Sequence, residues 1–174
     1  MTTRYAAIMT LAHRRAFTLV EVLVVVAIIA VTAAVVLPRL TDDAVLRLRG
    51  AASILISDVE YAQVLSISHP DNPVVVRFDA AKSRYWLAYA SAPDAPLNRP
   101  GTNQPYDVTF GQGRAASVGD IGVSVQNMPG ETVAFDASGG LVDFSASPRI
   151  TLTVDNRTLT LVIAPMTGSI SEEN

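Results

Sequence analysis

The spacing of apolar positions changes character twice along the chain. From Phe17 to Leu37 they are almost continuous, and after Glu21 the sixteen residues from Val22 to Leu37 carry no charge. Twenty-one residues in a helix rise about 31 Å, close to the roughly 30 Å of a bilayer's hydrocarbon core. The stretch therefore predicts a membrane-spanning helix over residues 17–37. From Leu40 the pattern becomes one-sided. Leu40, Ala44, Leu48, Ala51, Leu55, Val59 and Ala62 recur at spacings of three and four, with Arg47, Arg49, Asp58 and Glu60 on other faces. This predicts an amphipathic continuation over residues 38–69. Pro38 interrupts the join. An interior proline costs about 3 kcal/mol, and the expectation is a kink or a local loosening of one long helix. Its end is expected near Ser68 and His69, because a residue that precedes a proline, here Pro70, is biased away from the helical region.

Beyond residue 70 the period falls to two. Residues 74–79 and 84–90 flank a short turn at 80–83 and predict a hairpin. Residues 91–105 hold Pro93, Pro96, Pro100, Pro105 and Gly101 and predict a long surface loop. Further strands are expected at 108–110, 122–126, 132–135, 141–144, 150–154 and 158–163, the last two joined by Asp155-Asn156. A final short strand is expected around 167–170. Along residues 84–90, Tyr85 and Tyr89 share a face and Trp86 takes the other. One set is expected to pack on the helix and the other to form an exposed interface. The fold expectation is α+β: a long N-terminal helix, membrane-embedded in its first half and amphipathic in its second, packed on an antiparallel β domain over residues 70–174.

Composition changes this picture in three ways. Residues 1–16 carry Arg4, Arg14 and Arg15 and no acid, like the start of a secretory signal. The apolar run is nevertheless too long for a signal core, and no small-x-small cleavage site follows it, so it is read as retained. Basic residues before the span and an acidic chain after it predict a cytoplasmic N-terminus and an exported remainder. With 13 basic and 16 acidic residues the net charge is −3, which gives no reason to expect bulk nucleic-acid binding. The chain has no cysteine, excluding disulfides, thiolate nucleophiles and cysteine metal sites.

The run Ala16-Phe17-Thr18-Leu19-Val20-Glu21, placed after basic residues and before a long apolar stretch, resembles the class III signal of type IV pilins and type II secretion pseudopilins. The resemblance implies that a membrane prepilin peptidase cuts on the cytoplasmic side between Ala16 and Phe17 and methylates Phe17. It also implies that residues 1–16 are a leader, and that Glu21 and Pro38 fall where this family carries an acid and a proline. The family's usual residue before the cut is glycine, and Ala16 departs from that pattern. The segments Phe135-Asp136-Ala137-Ser138-Gly139 and Thr167-Gly168-Ser169-Ile170 resemble, less specifically, the GspH/FimT group of minor pilins. Elementary electrostatics fits this resemblance. A carboxylate near the end of an apolar helix can reach water, but among packed helices it needs a cation. The freed amino group of Phe17 on an adjacent subunit would supply one.

Catalysis has little to work with. Once residues 1–16 are removed, His69 is the only histidine, placed at a helix end, and no Gly-x-Ser-x-Gly segment exists. Asp42-Asp43 read as solvated acids near a helix start, and Asp155-Asn156 as a turn. The reading is therefore a non-enzymatic minor pseudopilin of a type II secretion system, without cofactor, in the bacterial inner membrane with its C-terminal domain periplasmic. Its expected partners are other pseudopilins, the prepilin peptidase, membrane lipid and exported proteins. A FimT-like minor pilin of a type IV pilus, including forms that take up DNA, is the alternative. A membrane-anchored periplasmic binding domain or enzyme is a third. Loss of Arg4, Arg14 and Arg15 would leave 10 basic against 16 acidic residues, a net charge of −6, which disfavours DNA.

Overall fold

The computed structural model describes residues 17–40, 43–143 and 145–173, with the side chains of residues 34–40 outside the description. The chain divides into two compact units, the first ending at Thr41 and the second beginning at Asp42.

The first unit is one helix, α1 (Leu19–Leu40), whose span includes Pro38. The second opens with α2 (Asp43–Ser68), which stops where Pro70 predicts. Among the described residues eight strands follow: β1 (Val74–Asp79), β2 (Arg84–Tyr89), β3 (Asp107–Thr109), β4 (Gly122–Gln126), β5 (Thr132–Ala134), β6 (Arg149–Val154), β7 (Arg157–Ile163) and β8 (Ile170–Glu172). They form two four-stranded sheets, ordered β3-β2-β1-β5 and β4-β6-β7-β8. Every strand pair in them is antiparallel. The architecture is thus helical at the N-terminus and antiparallel β beyond, an α+β fold.

α2 packs against β1 of the first sheet and against β6, β7 and β8 of the second. Leu48, Ala51, Leu55, Val59 and Ala62 are buried, as the spacing of three and four predicts. Ala51, Ala52 and Ala62 are small, which lets the strands approach the helix backbone closely. Facing them, Val76 and Phe78 of β1 lie opposite Leu87 and Tyr85 of β2, and Ile150 of β6 lies opposite Leu161 of β7. Each such side chain, fully buried, contributes about 1.5–3 kcal/mol. Ser66 closes the C-terminal end of α2. Its Oγ donates to the Val74 carbonyl at 3.0 Å and accepts from the Val74 N–H at 2.9 Å, fixing where β1 begins.

Three expectations need correction. The last short strand is Ile170–Glu172 and not residues 167–170. Residues 141–143 do not form a strand. Leu141 makes one isolated bridge to Phe135, its N–H goes to the Pro165 carbonyl, and Asp143 adopts a φ of 57° that ends the extended run. Phe144 lies outside the described residues. The face of β2 opposite the core is not an open interface either. Trp86 is buried with Val75 and Ala88, its Nε1–H donates to the Pro93 carbonyl, and the Arg84 guanidinium lies 4.8 Å from its ring centre. The proline-rich segment covers it.

Candidate functional site

The expected processing and assembly residues fall at the start of α1. Ala16 lies outside the described residues. Phe17 and Thr18 precede the helix in non-helical backbone, and the Phe17 side chain is 78% exposed. Thr18 is the N-cap: its Oγ1 accepts from the Glu21 N–H at 3.1 Å, and its carbonyl accepts from the Val22 N–H at 3.2 Å. Thr18 and Glu21 thus stand at the two key positions of a capping box. The Thr-x-x-Glu spacing is itself a helix-start signal in the sequence. An acid in the first turn also complements the helix dipole. Pro38 lies within α1, with its side chain outside the description.

From Val22 to Val31 every described side chain of α1 is apolar, on all sides of the helix. Leu19, at 81%, and Leu23, Val26, Ile28, Ile29 and Val31 are all exposed. The one described hydroxyl beyond the first turn of α1, on Thr32, donates back to the Ile28 and Ile29 carbonyls. Among the described residues no helix is long and apolar enough to cross a membrane. Side chains are described only as far as Ala33, and residues 19–33 rise about 22 Å. The expected span of residues 17–37 runs beyond them.

Two sequence motifs from the C-terminal half meet at one side chain of α2. Gln63 Nε2 donates to the Gly139 carbonyl at 2.6 Å and to the Thr167 carbonyl at 2.7 Å. The first turn is self-capped. Asp136 Oδ1 accepts from the Ser138 hydroxyl (2.7 Å) and from the Ser138 and Gly140 N–H groups (2.8 and 3.0 Å). The Ser138 bonds foremost hold the Asp136 carboxyl below its ordinary range. The second turn passes so close that a Cβ on Gly168 would collide with the Gly139 carbonyl and with Gln63, at a φ of 65°. Gly168→Ala is therefore expected to cost about 2–3 kcal/mol from left-handed strain and overpacking. A urea titration of the full chain in detergent measures this.

A second polar cluster lies inside the β-bearing unit. Asp58, expected on a face other than the apolar one, is 1% exposed. Its Oδ2 accepts from the Tyr85 hydroxyl at 2.6 Å. Its Oδ1 accepts from the Tyr106 hydroxyl at 2.8 Å and from Arg114 Nη2 at 2.7 Å. Burial, then the adjacent Asp58 charge, pushes the Tyr85 phenol well up, so it stays protonated and donates. Burial opposes the charge on Arg114, but its bonds to Asp58 and Tyr106 outweigh that and raise its pKa.

His69 is exposed at the end of α2, its Nδ1 3.1 Å from the Leu65 carbonyl and its ring edge-on to Tyr89. Asp43 stands in the first turn of α2, and Asp155 occupies the β6–β7 turn at a φ of 51°. Asp42 lies outside the described residues. Among the described residues no group of three His, Asp or Glu side chains could hold a metal ion.

Residues 11–37 match the family model of the prokaryotic N-terminal methylation motif, the N-terminal signature of type IV pilin-like proteins. The crystal structure of the type IV minor pilin FimU of Pseudomonas aeruginosa (strain PAO1) is similar at a TM-score of 0.49 and 18% sequence identity, over 73% of this chain and 88% of that one. No curated protein matches the sequence.

Proposed function

We propose that this chain is a minor, non-enzymatic subunit of a type IV pilin-like filament, cut between Ala16 and Phe17, methylated at Phe17, and packed through residues 17–37 against the same segment of neighbouring subunits. The observation that carries the reading is the methylation motif at residues 11–37, which runs through a helix whose side chains from Val22 to Val31 are apolar on every side. An all-round apolar helix is stable only in lipid or among other apolar helices. A processed pilin-like subunit uses both environments in turn. Before assembly the apolar segment would anchor the chain in the inner membrane with the β-bearing unit in the periplasm. After assembly it would line the filament core. Glu21 would then pair with the amino group of Phe17 on an adjacent subunit, and the prepilin peptidase, membrane lipid and other subunits are its partners.

Between the two filament systems, the acidic balance of the processed chain favours the type II secretion pseudopilus, with exported proteins as transient partners, over a DNA-binding type IV pilus. Membrane extraction tests the anchoring half of the proposal. The full chain is expected to stay in the pellet after alkaline carbonate, and a secreted form lacking residues 1–40 to be recovered from the periplasm. Release of the full chain by carbonate would contradict it.

A further inference from the structure

We infer that the groove between β3 and the Gly113–Val118 3-10 segment is a receptor site for a carboxylate presented by a partner protein. The groove encloses about 490 Å³ and is lined by Arg99, Gln104, Asp107, Thr109, Gln112 and Arg114. Its two lining guanidiniums lie over one buried ring: Arg99 is 5.3 Å and Arg114 5.7 Å from the centre of Tyr106. Tyr106 is itself fixed, stacked on Tyr61 and bonded to Asp58. Arg114 commits Nη2 to the buried Asp58, yet its side chain remains 30% exposed. A buried acid with two tyrosines therefore holds one edge of Arg114 and leaves other donors of its planar fork for the groove. A buried ion pair adds little stability over apolar packing, so its value here lies in orienting that fork.

The charge balance points the same way. The Asp107 carboxylate is occupied by Arg84, through Nε at 2.8 Å and Nη2 at 2.5 Å. Arg99 donates to the Asp107 main-chain carbonyl, and among the described residues no carboxylate forms an ion pair with it. Its Nε–H is buried without an acceptor. The groove thus has a surplus cation, two forks that suit a planar carboxylate, and amide and hydroxyl groups beside them. Nucleic acid is disfavoured. It needs several cations spaced along a backbone, whereas Asp94 and Asp107 neutralise Arg77 and Arg84 on the adjoining surface.

The inference is independent of the filament reading. To test it, an N-acetylated tetraglutamate peptide is titrated into the full chain in nonionic detergent while the arginine Nε–H resonances are followed by NMR. Saturable shifts at Arg99 and Arg114, a binding constant weakened at least fivefold by Arg99→Gln, and no effect of Lys82→Gln are expected. Arg114→Lys keeps a charge on Asp58 but loses the fork, and should weaken binding while the melting temperature holds. The absence of saturable shifts, equal shifts at Arg149, or tighter binding of a single-stranded oligonucleotide than of the peptide would each overturn the inference.

Discussion

Replacing Glu21 with alanine is expected to leave the chain in the membrane and remove it from filaments. The asymmetry follows from what the side chain does in each setting. In the single subunit the Glu21 backbone N–H is capped by the Thr18 hydroxyl at 3.1 Å, a bond the substitution keeps. The lost charge–dipole term is about 0.3–1 kcal/mol, too little to unfold α1 or expel it from lipid. In the proposed filament the carboxylate is buried beside a neighbour's Phe17 amino group. Its removal leaves that ammonium unpaired, at about 3–5 kcal/mol per subunit. Such a cost lowers incorporation by two to three orders of magnitude. Glu21→Gln should behave like alanine, because shape without charge does not neutralise the ammonium. Immunoblots of membrane and sheared-filament fractions report the outcome, and wild-type incorporation of either variant would refute the pairing.

Asp58→Ala should destabilise the β-bearing unit by about 3–5 kcal/mol, because it leaves Arg114 and two tyrosine hydroxyls without their acceptor. Tyr85→Phe removes one donor and should cost about 1–3 kcal/mol. Changing both charged partners, Asp58→Leu with Arg114→Met, should recover only the part of the loss due to the unpaired Arg114, since the Tyr85 and Tyr106 hydroxyls still lack their acceptor. Urea unfolding of the full chain in detergent distinguishes these cases. A loss of under 1 kcal/mol for Asp58→Ala would mean that the cluster is not structural.

Asp58 also marks where sequence reasoning stopped. The face of α2 built from Leu48, Ala51, Leu55, Val59 and Ala62 was legible because helical spacing and burial obey one rule. The same rule put Asp58 off the apolar face, yet it is buried. Its burial depends on partners 27, 48 and 56 positions away, which no local period encodes. The β4 bounds and the Asp155-Asn156 turn were readable from alternation and turn chemistry. The division into two sheets was not, because alternation identifies a strand's faces without naming its neighbours. Residues 141–144 alternated well enough to suggest a strand, but Leu141 spent its N–H on Pro165 and Asp143 turned left-handed. The meeting of the Phe135–Gly139 and Thr167–Ile170 motifs at Gln63 likewise required the folded chain. At the N-terminus the local signals were strongest, and the Thr18 cap only added a further one to residues already singled out.

The central claim is that residues 1–16 are removed so that Phe17 can begin an assembly-competent helix. Intact mass spectrometry of the chain extracted from membranes of cells with an active prepilin peptidase tests it most directly. The account predicts one species that starts at Phe17 and carries one added methyl group. A chain still bearing residues 1–16 in those cells would contradict it.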